Sequence, residues 1–142
     1  MIDATTQARK PRVLVLDDDP RLLQACLRML SRWGYCCVAY SDVHGALAAI
    51  ARNPPDLLIL DIYMPVLDGF EVLARVRRLA PTTRILAISG DVICARDTHL
   101  LPISALLGAD ATLRKPINPH RFRATMRQLL PPAAAALRGS TR

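Results

Sequence analysis

Four consecutive apolar residues favoured in strands, Val13-Leu14-Val15-Leu16, stop abruptly at Asp17-Asp18-Asp19-Pro20. A run that is apolar at every position has no polar face to turn to water, so it predicts a strand buried on both sides. Strands of that kind belong to parallel sheets, where each neighbour is reached by a crossover and the crossover helices blanket both faces. The next residues supply such a crossover. Asp19 reads as a helix N-cap with Pro20 at the first helical position, Leu23, Leu27 and Leu30 keep helical spacing, and Gly34 supplies the stop. A first helix is predicted over 20–33.

The unit then repeats along the chain. Residues 36–40 read as a strand, Ser41 or Asp42 caps a helix over 43–52, and Asn53-Pro54-Pro55 breaks it. Leu57-Leu58-Ile59-Leu60 is the next strand, ending in Asp61; a helix from near Asp68-Gly69 carries Val72, Leu73, Val76 and Leu79 and stops before Pro81. Residues 84–88 form a fourth strand, a shorter helix is placed near 99–107 and ended by Gly108, and residues 111–114 form the last strand. Asn118-Pro119 opens a final helix bearing Phe122, Met126, Leu129 and Leu130, and Pro131-Pro132 closes it. Five strands alternating with five flanking helices predict an α/β fold with a doubly wound parallel sheet. The expected division is an N-terminal extension over 1–10, one domain over 11–130 and a flexible tail over 131–142.

Composition excludes several other classes. A chain of 142 residues allows one compact domain plus tails, and 51% hydrophobic against 22% charged residues is too apolar for a disordered chain. The net charge of +7 divides as +1 over residues 1–10, +2 over 131–142 and +4 over the body. Charge alone names no partner, and no helix-turn-helix or zinc-finger pattern accompanies it. Cys26, Cys36, Cys37 and Cys94 lack the C-x-x-C spacing of a metal or redox site and are expected to be small buried hydrophobes in a reducing compartment. The N-terminus has no apolar signal core and no run long enough to span a bilayer, so a cytoplasmic location without membrane contact is expected.

In open parallel sheets ligands sit outside the carboxyl ends of the strands. Here those ends are Asp17-Asp18, Asp61, Ser89 and Lys115-Pro116, with Asp18, Asp61, Ser89 and Lys115 separated in turn by 43, 28 and 26 positions. Parallel pairing would gather three carboxylates, a hydroxyl and an ammonium on one rim. Crowded carboxylates raise a pKa or recruit a cation, and an all-oxygen set that leaves room for water and phosphate suits Mg²⁺. Lys115 offsets more of the charge, so that an anionic phosphoryl group can approach an anionic carboxylate. Asp19, Asp42 and Asp68 read instead as helix caps or turn residues.

VLVLDDDP, LLILDIYMPVLDGFEVL, ILAISG and LRKPI, in that order, resemble the receiver domain of two-component response regulators, of the single-domain type, over about residues 11–130. The most specific piece is D-x-x-M-P-x-x-D-G, from Asp61 to Gly69. The resemblance implies a flavodoxin-like strand order 2-1-3-4-5 and phosphorelay signalling, with Asp61 accepting a phosphoryl group from a histidine kinase or histidine phosphotransfer protein. Asp18, Asp61 and the main-chain carbonyl of Tyr63 would bind Mg²⁺ directly, and Asp17 mostly through water. Ser89 and Lys115 would each meet a phosphoryl oxygen, with Lys115-Pro116 as a cis peptide. The resemblance describes a regulatory phosphoacceptor that assists its own phosphorylation and dephosphorylation, not an enzyme, and that acts on a downstream protein target.

Some positions depart from the family pattern. Thr112 stands where most receivers carry an aromatic residue, which puts the usual hydroxyl-aromatic coupling in question, and the bulky phenol of Tyr63 fits either slower access of water to the acyl phosphate or simple cover for the rim. The interval from Ser89 to Lys115 is a few residues longer than in common receivers, and residues 91–98 are expected to be mobile without phosphate and partly ordered with it. Arg114, Arg121, Arg123 and Arg127 make the last strand and helix basic, which fits either a homodimer or docking face or simply a solvated surface; Trp33 reads as packing. No effector domain is expected after Pro131-Pro132, hence no direct DNA binding by this chain, although a fragment of a larger regulator or hybrid kinase, or a scaffold with little switching, are alternatives. A flavodoxin-like cofactor binder is disfavoured because Asp17-Asp18-Asp19 would repel its phosphate. An aspartyl phosphatase is disfavoured by Tyr63, where a second Asp would act as acid and base.

Overall fold

A computed structural model describes residues 9–63, 69–90 and 108–131. Five strands, β1 (Arg12–Leu16), β2 (Cys36–Tyr40), β3 (Leu57–Asp61), β4 (Arg84–Ser89) and β5 (Ala111–Arg114), form one parallel sheet in the order β2-β1-β3-β4-β5. The described helices are α1 (Pro20–Arg32), α2 (Val43–Arg52), α3 (Gly69–Leu79) and α4 (Pro119–Leu129). The helix expected near 99–107, the loop at 91–98, Asp68, Cys94 and the expected tail beyond Pro131 lie outside the described residues.

Alternation along the strands divides the core into two halves. Leu14, Leu16, Leu58, Leu60, Ile85 and Ala87 pack under α2 and α3. Val13, Val15, Leu57, Ile59, Leu86 and Ile88 pack under α1 and α4. Burial on both faces makes a one-residue slip costly, because it would exchange the two side-chain sets wholesale. Strand ends are thereby held in register, Asp61 opposite Ile88 and Ser89 opposite Arg114.

Central and edge strands differ. β3 is buried throughout, whereas β2 lies at an edge, so that Cys36 and Val38 are exposed. The expectation that the cysteines are all buried is therefore corrected: Cys26 is buried, Cys37 is half-buried against the α1 side of the core, and Cys36 faces solvent. An apolar run identifies a strand but not its place in the sheet.

Local chemistry sets the helix ends. Asp19 accepts a hydrogen bond from the Arg21 amide at 3.0 Å, with Pro20 opening α1. At its other end the Gly34 amide donates to the Ser31 carbonyl and the Tyr35 amide to that of Leu30, a Schellman closure that needs Gly34 at φ +95°. Asp42 rather than Ser41 caps α2, accepting from the Gly45 amide at 2.9 Å, and Asn118 caps α4. Trp33 packs edge-on against Phe122 with ring centroids 5.2 Å apart, the packing role expected of it.

Gly69 begins α3 where the chain returns against the end of β3. Its amide donates to the Ile62 carbonyl at 3.2 Å, and an added Cβ would lie 2.4 Å from that oxygen and 2.5 Å from the Ile62 Cα. Both obstacles are backbone and have nowhere to go. Gly69→Ala is therefore expected to cost about 1–3 kcal/mol, read as a lowered urea midpoint, whereas Gly90→Ala, with open space around the new methyl, leaves the midpoint nearly unchanged.

Candidate functional site

Parallel pairing brings the carboxyl ends of β1, β3, β4 and β5 to one rim. Oxygens of Asp17, Asp18 and Asp61 lie within 4.8 Å of one another, two of these residues buried and Asp18 exposed. The Lys115 ammonium sits 2.8 Å from Asp17 Oδ2 and 3.1 Å from Asp61 Oδ2. Ser89 is fully buried at the end of β4, and its carbonyl accepts from the Lys115 amide at 2.7 Å. Lys115-Pro116 is a cis peptide, as the resemblance implied. Asp17, Asp18, Asp61 and Lys115 thus share one neighbourhood, and Ser89 adjoins Lys115 through its main chain.

Main-chain groups orient the acids. Asp17 donates its amide to the Tyr40 carbonyl at 3.1 Å, and its Oδ1 accepts from the Asp19 amide at 2.9 Å. Asp61 Oδ1 accepts from the Tyr63 amide at 3.0 Å, while Oδ2 faces Lys115. Tyr63 itself is half-buried against the α2 and α3 side of the core. Contributions from the Tyr40 carbonyl and the Asp19 amide carry no residue-type signal, so the sequence does not reveal them. Thr112 is half-buried in mid-β5, opposite Ala87.

Electrostatics follow from this crowding. Burial, aided by the charge of Asp61, raises the Asp17 pKa from 3.8 to about 6, although Lys115 and the Asp19 amide pull the other way. For Lys115 burial favours the neutral amine, but Asp17 and Asp61 outweigh it and raise its pKa. One ammonium shared between two buried acids leaves the rim with an excess of negative charge. Three carboxylates offering oxygen alone, one of them open to solvent, match the donor chemistry of a hard divalent cation such as Mg²⁺.

The chain resembles known proteins over most of its length. The family model described as response regulator receiver domain matches residues 13–127. The response regulator MprA of Mycobacterium sp. (strain KMS) is 39% identical over 120 residues, covering 84% of this chain and 50% of that protein. MprA of Mycobacterium leprae (strain TN) is 38% identical over the same shares. The chain therefore spans about half the length of the curated relatives it matches. Among solved structures, the chemotaxis response regulator CheY4 of Vibrio cholerae has a TM-score of 0.74 at 28% identity, over 86% of this chain and 100% of that one. The receiver domain of NtrX from Brucella abortus has a TM-score of 0.76 at 27% identity, over 83% and 97%. Sequence and fold agree, and the chain belongs to the response regulator receiver domain family.

Proposed function

We propose that this receiver works as a Mg²⁺-dependent phosphorelay switch whose phosphoacceptor is Asp61. The observation that carries the reading is the placement of Asp61: a buried carboxylate at the end of a central strand, with an ammonium at 3.1 Å and two further carboxylates beside it. An Asp61 oxygen attacks the phosphorus of a phosphohistidine on a histidine kinase or phosphotransfer protein. The new O–P bond forms as the N–P bond breaks, the imidazole departs, and Asp61 becomes an acyl phosphate.

Each neighbour has a part in that transfer. Asp17, Asp18, Asp61 and the Tyr63 carbonyl would hold Mg²⁺, Asp17 mostly through water. The bound ion supplies positive charge that lets two anions meet. Lys115 passes from the Asp61 carboxylate to a phosphoryl oxygen, and the Ser89 hydroxyl donates to another. The Tyr63 side chain slows the approach of water to the acyl phosphate, and Thr112 weakens the coupling that an aromatic residue on β5 would provide.

The proposed receiver covers 11–130, acts in the cytoplasm and signals through a downstream protein. Among the described residues no helix is long and apolar enough to cross a membrane. A second reading, a receiver that forms part of a larger regulator, draws on the 50% coverage of the MprA proteins.

Incubation with acetyl phosphate and Mg²⁺ should add one phosphoryl group by intact mass, and Asp61→Asn should lose it; equal labelling of the variant would reject Asp61 as acceptor. A second expectation concerns Asp17. Its folded pKa lies above the unfolded value, so its destabilising effect is absent below pH 3.8 and complete above about pH 6. In metal-free protein at pH 8, Asp17→Asn should raise unfolding stability by an amount on the order of 1–2 kcal/mol, with little change at acidic pH. Mg²⁺ should stabilise the parent protein more than the variant in the same urea titrations.

A further inference from the structure

The sheet has two edges, β2 and β5, and among the described residues β2 has no neighbour beyond β1. An edge strand leaves a row of main-chain donors and acceptors unpaired, a hazard that proteins blunt with charged side chains, Pro or a bulge on the strand. β2 has none of these. Its residues are Cys-Cys-Val-Ala-Tyr, and its register with β1 runs unbroken from Cys36 to Tyr40. Val38, at the centre, is 47% exposed, one of two large apolar side chains so open among the described residues.

Which main-chain groups are free follows from those already used. The Cys36 amide donates to the Pro11 carbonyl at 2.9 Å, and the Tyr40 carbonyl accepts from the Asp17 amide at 3.1 Å. Strand alternation then turns the polar groups of Cys36, Val38 and Tyr40 toward β1 and those of Cys37 and Ala39 toward the open edge. The two ends of the strand also differ in charge. Arg32, exposed in the last turn of α1, lies near its beginning, and Asp42, exposed at the cap of α2, follows its end.

We infer that β2 is a self-association edge, which pairs antiparallel with β2 of a second copy about a two-fold axis at Val38 and joins two five-stranded sheets into one. In that register Cys37 lies opposite the partner's Ala39 and Ala39 opposite the partner's Cys37, so both edge-facing residues of each strand exchange hydrogen bonds. Val38 meets the partner's Val38 as a closely spaced pair, with Cα atoms ~4.5 Å apart, and both side chains leave water. Gly34 falls opposite the partner's Asp42, which brings Arg32 toward that carboxylate at both ends of the contact. A parallel pairing would set like ends together. A foreign strand offers the same main-chain hydrogen bonds, but only β2 itself, run in reverse, is bound to bring acid to base twice. The inference goes beyond the phosphorelay reading and does not use Asp61.

The test is sedimentation equilibrium of the full chain in reducing buffer without Mg²⁺, from about 10 μM to about 1 mM protein. A contact along one strand edge is small, so the mass should rise from monomer toward dimer with a dissociation constant of roughly 0.1 mM, and the rise should weaken with salt. Val38→Lys, which sets two ammonium groups face to face, should weaken association about tenfold or more, while its urea midpoint in dilute solution stays that of the parent. Arg32→Gln should weaken it about fivefold and flatten the salt dependence. Arg114→Gln/Arg121→Gln, at the far side of the sheet, should leave it unchanged. Oxidised by diamide, Cys36→Ser/Val38→Cys should form a covalent dimer on a non-reducing gel, since the facing Cα atoms lie within the roughly 4.4–6.8 Å that a disulfide spans; Cys36→Ser alone should not. A monomer at every concentration, a dimer that Val38→Lys leaves intact, a dimer that Arg114→Gln/Arg121→Gln abolishes, or no covalent dimer from Cys36→Ser/Val38→Cys would each overturn the inference.

Discussion

Mutual repulsion among Asp17, Asp18 and Asp61 is the constraint around which this molecule is organised. Free carboxylates would move apart, and here they cannot, because the strands that carry them are packed on both faces and locked in register. Lys115 relieves part of the repulsion by standing between two of them. The remainder is a concentrated negative field at the end of the sheet, ready for a divalent ion and unsuited to a bare phosphate. Chemistry at the rim therefore rests on the apolar core beneath it: loosen the packing of β1 against β3 and the acids gain the freedom to separate.

The residues that end the strands also help to start or anchor neighbouring elements. Asp17 takes the Asp19 amide, Asp19 in turn caps α1, and Pro20 removes a donor that the first turn would leave unsatisfied. At the far side, the Lys115 amide is tied to the Ser89 carbonyl, which relates the ammonium to the end of β4 as well as to its own strand. Arg77 holds the approach to β5 in a comparable way, donating to the carbonyls of Thr83 and Gly108 and to the Asp110 carboxylate. Fold and site share atoms at these junctions, so their stabilities are linked.

Much of this was legible in the residues. Strand runs, the Asp19 and Asn118 caps and the Gly34 stop are local features, and local features act through near neighbours in the chain. Strand-end acids were legible as a group because parallel topology sends every strand end to the same side. Less legible was the exposure of Cys36 and Val38, since nothing within CCVAY distinguishes an edge strand from a central one. The need for glycine at position 69 was visible as a motif letter, but its cause is a backbone seven residues away, Ile62, against which any Cβ would press. The basic residues near the C-terminus read as one patch in the chain and separate in space, Arg123 toward Trp33 and Lys115 toward Asp17 and Asp61.

By itself the sequence determined the alternation of strands and helices, the caps, and which polar residues stand at strand ends, because hydrophobic periodicity and capping chemistry act over a few bonds. Only the tertiary structure decided that Lys115 is shared between Asp17 and Asp61 and that Asp17 is buried enough to hold its proton toward neutral pH. Those are matters of distance and desolvation between groups far apart along the chain, and such quantities exist only once the sheet has closed.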